Sequence, residues 1–107
     1  MRIRITGLLL LAAALMSTAS YAAQGNPKAG KKKVAICLGC HGIEDYKTSY
    51  PSVYHVPRLG GQHPEYIVKA LQAYKKGERT HPSMTGVAQP LSDQDMADIA
   101  AYFGALK

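Results

Sequence analysis

Cysteine is nearly missing from this 107-residue chain: Cys37 and Cys40 are the only two. No second Cys-x-x-Cys and no closely spaced pair of histidines accompanies them, so the four protein ligands that structural zinc takes are not assembled. Acidic residues are scarce as well, seven Asp and Glu against thirteen Lys and Arg, for a formal net charge of +6. The carboxylates are scattered, and no nucleophile motif or glycine-rich phosphate loop is present. That leaves no catalytic set, and the chain reads as a non-enzyme. There is no alternation of strands with helices, which removes the βαβ setting of a thioredoxin-like redox pair. No internal repeat or low-complexity tract divides the chain. No uncharged apolar run reaches the roughly 20 residues that a bilayer crossing needs.

What the chain does have is Cys37-Leu38-Gly39-Cys40-His41. Two thiols three residues apart on a helical turn share a face, so both sulfurs reach one flat object. An imidazole directly after them is the pattern of covalent c-type haem attachment. Cys37 and Cys40 would form the thioether bonds and His41 would ligate the iron axially. A redox dithiol has no use for the trailing histidine.

Met1 to Ala22 has the layout of a secretory signal: Arg2 and Arg4, then the short apolar run Leu8 to Met16, then Ser20-Tyr21-Ala22 with small residues before a cut. Cleavage is expected near Ala22, leaving residues 23–107 as one domain in the periplasm. An uncleaved signal is the alternative, and apart from that a membrane is met only through partners. Loss of Arg2 and Arg4 lowers the net charge from +6 to +4. A domain this short buries little apolar surface and needs a staple. Two thiols in an oxidising compartment must be bonded to something, and a covalently held haem serves both ends. Export also takes the chain away from nucleic acid.

The rest of the pattern is all-α. Asn26 as N-cap and Pro27 at the first position open a helix running into the Cys37 region, with Gly30, Val34 and Cys37 on one face. Residues 42–56 read as an irregular loop with a helical turn, in which Tyr46, Tyr50 and Tyr54 wall the haem edge. His63-Pro64-Glu65 starts a helix whose apolar stripe includes Tyr66, Ile67, Leu71 and Tyr74, and Gly77 caps it. Residues 78–90, broken by Pro82, Gly86 and Pro90, read as irregular and hold Met84. Ser92 with Asp95 forms a capping box for a last helix that buries Met96, Ile99, Tyr102, Phe103 and Leu106.

In this order the chain resembles the class I c-type cytochromes, specifically the small bacterial periplasmic monohaem kind, and looks like one half of their two-domain diheme relatives. The marks are Gly30, Cys37 to Gly42, Pro57 to Gln62, the helix ending at Gly77-Glu78-Arg79, Met84, and Leu91 to Asp95 leading to Tyr102. The resemblance implies the cytochrome c fold, three main helices plus loops around one haem c. It implies His41 as proximal and Met84 as distal iron ligand, a hydrogen bond from His41 to the Pro57 carbonyl, and Gly30 facing the C-terminal helix near Tyr102. The chain departs in having Val34 and Ala35 where many members carry an aromatic residue, and Met84-Thr85 where many show Met-Pro. Met96, His81 and His63 stand as alternatives to Met84. The implied function is a periplasmic single-electron carrier between redox proteins such as a dehydrogenase or terminal oxidase, or else a haem-bearing subunit of an oxidoreductase complex. Lys31, Lys32, Lys33, Lys69, Lys75, Lys76 and Arg79 either ring the haem edge and steer an acidic partner or are a solvated surface.

Overall fold

Asn26 begins the first helix by its side chain, whose Oδ1 accepts from the Lys28 and Ala29 amides at 2.9 and 3.2 Å. The computed structural model describes residues 23–50 and 52–107; the expected signal segment and its cleavage site lie outside the described residues. Helix α1 runs Pro27–Lys33 with Pro27 at its first position, and α2 runs Ala35–His41. The single helix expected here is therefore two. The break is at Val34 (φ −87°, ψ 2°), whose side chain is buried in the core.

Residues 42–56 also differ from expectation. In place of a helical turn there is a short antiparallel ladder of β1 (Lys47–Thr48) and β2 (Tyr54–His55), paired Lys47 to His55 and Thr48 to Tyr54. Tyr50 is 88% exposed and so is no part of a wall.

Helix α3 (Pro64–Lys76) follows the sequence reading. Pro64 takes the first position after His63, and Gly77 ends the helix in the left-handed conformation at φ 79°. Only glycine holds that conformation without cost. Helix α4 (Pro82–Ala88) was not expected: Pro82, read as a breaker, occupies the first helical position instead. Proline is accepted there because its missing N–H has no intrahelical partner to lose. Helix α5 (Asp93–Ala105) starts on the predicted box, with Ser92 Oγ accepting from the Asp95 amide at 3.1 Å and Asp95 Oδ2 accepting from the Ser92 amide at 3.0 Å.

The core lies along α5. Met96, Ile99, Ala100 and Phe103 meet Val34, the α3 residues Ile67 and Leu71, and Ala88 of α4. Burying a side chain as large as Val34, Met96 or Phe103 contributes about 1.5–3 kcal/mol each. Leu106, expected on this face, is 38% exposed. Among the described residues no helix is long and apolar enough to cross a membrane.

Candidate functional site

Cys37 and Cys40 sit one turn apart in α2, both half-buried and not bonded to each other. Burial pushes the Cys37 thiol above its ordinary pKa, because the charged thiolate loses solvent. His41 closes the same helix. Its Nδ1 lies 2.7 Å from the Pro57 carbonyl oxygen. A carbonyl can only accept, so Nδ1 carries the proton and Nε2 is the nitrogen left for a metal.

These three residues open onto two adjoining cavities of about 310 and about 70 Å³. Both are lined by Cys40, His41 and Met84, and Cys37 lines the smaller. Met84 reaches them from α4, and α3 supplies Ile67 and Leu71 to both. The larger space alone is at the lower end of the roughly 300–1,000 Å³ typical of ligand sites. Taken together, the two linings have the chemistry of an iron porphyrin pocket: the thiols of Cys37 and Cys40, an oriented imidazole, the soft thioether of Met84, and apolar side chains among them. The residues present fit that group.

The alternatives to Met84 separate. Met96 is fully buried in the core and lines neither cavity. His55 and His63 are exposed and line neither. His81 lines the larger cavity, but its Nδ1 already accepts from the Met84 amide at 3.5 Å.

Sequence reasoning does not pick out Gln62 or Arg58 as cavity residues, and it offers Arg79 only within a group of seven cations that either ring the haem edge or form a solvated surface. All three line the larger space, as does Tyr54 of the proposed tyrosine wall. The Arg79 guanidinium stacks 4.8 Å from the Tyr74 ring centroid, and Arg58 reaches Glu44 at 3.4 Å on the exposed surface. Lys33 belongs elsewhere. Its Nζ is 2.7 Å from both Asp95 and Asp98, so it joins α1 to α5 and does not contribute to a ring around the cavity. Those two hydrogen bonds raise the Lys33 pKa, and the same contacts hold the carboxyls of Asp95 and Asp98 below the ordinary carboxylate range.

The pattern of the cytochrome c family matches residues 27–107. Cytochrome c4 of Pseudomonas aeruginosa is 45% identical over 85 residues, covering 79% of this chain and 40% of that protein. Cytochrome c-554(548) of Halomonas halodenitrificans is 38% identical over 84 residues, covering 76% of this chain and 96% of the relative. The crystal structure of reduced recombinant cytochrome c4 from Pseudomonas stutzeri superposes with a TM-score of 0.62 at 42% identity, over 78% of this chain and 46% of that one. The chain thus spans about half the length of the cytochrome c4 relatives it matches, and nearly all of the smaller c-554(548).

Proposed function

The chain belongs to the cytochrome c family, and from that premise we propose that it is an exported, periplasmic single-electron carrier that passes electrons between redox proteins. A cytochrome c domain carries covalently bound haem c with its iron. When bound, that group supplies a one-electron iron(III)/iron(II) couple. On this reading Cys37 and Cys40 hold it by thioether bonds, and His41 and Met84 ligate the iron.

The carrying observation is that Cys37, Cys40, His41 and Met84, from two separate helices, line one cavity together. Each then has a defined task. The Pro57 carbonyl fixes the His41 tautomer and ring orientation, keeping Nε2 basic. Met84 would offer the iron a soft sulfur as its second protein ligand, which would favour the reduced metal and raise the potential. With His41 and Met84 both given to the iron, no open site would be left for a substrate, and the reading is therefore a carrier and not an oxidase or a gas sensor. Ile67 and Leu71, both buried, give the pocket part of its apolar wall.

The partners on this reading are redox proteins such as a periplasmic dehydrogenase or a terminal oxidase. The test is an optical redox titration of the native holoprotein together with carbon monoxide exposure of its reduced form. A reversible one-electron transition with no carbon monoxide adduct is expected. Avid carbon monoxide binding, or colour lost to acid-acetone extraction, overturns the reading.

A further inference from the structure

Helix α4 has little stability of its own. It is seven residues long and contains Gly86, and a helix of that length does not persist in water unaided. Its place is therefore set by what grips its two ends. At the C-terminal end Ala88 is fully buried. Gln89 Nε2 donates to the Lys75 carbonyl at 3.0 Å, and Lys75 Nζ donates to the Leu91 carbonyl. That end is fastened to α3.

The N-terminal end is fastened by His81. Its backbone is extended (φ −156°, ψ 123°), and its carbonyl accepts from the Thr85 amide at 2.8 Å, as an N-cap residue does. Its Nδ1 accepts from the amide of Met84, the third helical residue. Pro82 has no N–H, so Met84 carries one of the few amides at this end that need an acceptor. The same imidazole meets the Tyr54 ring edge-on, with centroids 5.2 Å apart. Tyr54 belongs to β2 and lines the same cavity as Met84. One side chain thus ties the amide of Met84 to a different wall of the pocket.

We propose that His81 is a positioning residue: by capping α4 on the Met84 amide and packing against Tyr54, it sets where the Met84 thioether stands and how firmly that sulfur holds the iron. This rests on the reading of Met84 as distal ligand. The proposal makes a geometric demand. The acceptor must occupy the Nδ1 position, which an asparagine side-chain oxygen reproduces. A glutamine oxygen falls one bond further out, near Nε2, and cannot cap.

The experiment compares His81→Asn with His81→Gln in the holoprotein. The probe is imidazole added to the ferric protein, which competes for the distal position. The readout is loss of the weak red-end sulfur-to-iron charge-transfer band. His81→Asn is expected within about twofold of the parent in imidazole affinity, and His81→Gln about fivefold tighter, the scale of losing one helix cap. Tyr54→Leu, which keeps the cap and removes the ring contact, is expected to fall between them. Equal affinities for the Asn and Gln variants overturn the proposal. The parent and Met84→Ala proteins separate its failure from that of the underlying reading. If the parent lacks the band, or Met84→Ala keeps it, the ligand assignment itself is wrong. If Met84→Ala alone loses the band and the His81 variants behave alike, only the positioning role is lost.

Discussion

Gly30 of α1 lies flat against α5 at Asp98: a Cβ built on it would overlap the Asp98 backbone carbonyl and stand 2.8 Å from the Tyr102 Cβ. The obstacle is backbone, which cannot swing aside as a side-chain tip can. Gly30→Ala should therefore prise α1 off α5, where Phe103 and Val34 are buried. Overpacking of this kind costs typically about 1–3 kcal/mol. Urea unfolding of the holoprotein measures it, and a loss under about 0.5 kcal/mol would show that the two helices separate freely.

The same contact is clamped by charge. Lys33 Nζ bridges Asp95 and Asp98, while the Asn26 amide and Gln94 Nε2 both donate to Asp98 Oδ1 at 2.8 and 2.9 Å. Asp98 is buried. Its carboxyl and that of Asp95 are held below their ordinary pKa, chiefly by the hydrogen bonds from Lys33. A depressed carboxyl stabilises the fold above its unfolded pKa, about 3.9, and loses that contribution as pH falls through the lower folded value. Lys33 is raised, so its contribution is complete below about pH 10.4 and fades only above that. Lys33→Met should lower thermal stability at neutral pH and flatten its decline below about pH 4. Parallel acid limbs for the parent and the variant would show that the clamp is not coupled to folding.

Met84 and Met96 should part company under the same substitution. Met96 is fully buried on α5, so Met96→Ala opens a cavity costing about 2–5 kcal/mol, with the red-end charge-transfer band retained. Met84 is only partly buried at the edge of the core. Met84→Ala should abolish the band, lower the potential and admit carbon monoxide to the reduced iron. Spectra and denaturation curves of both variants are the measurement. A Met96→Ala protein that loses the band would reverse the assignment.

What the sequence disclosed and what it hid follow from the range of the forces involved. The capping box at Ser92, the Gly77 terminus and the Asn26–Pro27 start are local, each set by residues within a turn of one another, and all are found where the pattern puts them. Helix α4 was legible in principle: His81-Pro82-Ser83 is a helix start once proline is read as a first-position residue. It was hidden because Gly86 and Pro90 look like loop chemistry and because the anchors, Lys75 and Tyr54, are distant in sequence. The fate of Tyr50 was not legible at all. It has the same spacing as Tyr46 and Tyr54, yet the β1–β2 ladder turns Tyr54 to the cavity while Tyr50 stands in solvent. For the site, the Cys-x-x-Cys-His run placed three residues by itself, whereas Gln62 and Arg58 join it only through tertiary contact.

Two cations test whether charge steers a partner. Lys33 and Arg79 carry the same formal charge and were grouped together on sequence alone. Lys33 is held at the α1–α5 contact by two carboxylates and lines neither cavity, so its charge is placed away from the site and, beyond a Debye length, is screened there. Arg79 lines the larger cavity, stacks on Tyr74 and has no carboxylate partner among the described residues. An exposed charge beside the redox centre attracts an acidic partner over about a Debye length, near 10 Å at 0.1 M salt. Electron transfer from the reduced protein to a small anionic oxidant should slow as ionic strength rises. Arg79→Gln should reduce both the low-salt rate and the steepness of that dependence. Lys33→Met should leave the steepness as it was, even though it is the more destabilised protein. Stopped-flow oxidation across a salt series measures both. If the two variants flatten the dependence equally, the rate follows net charge alone, and the placement of Arg79 at the cavity has no bearing on encounter.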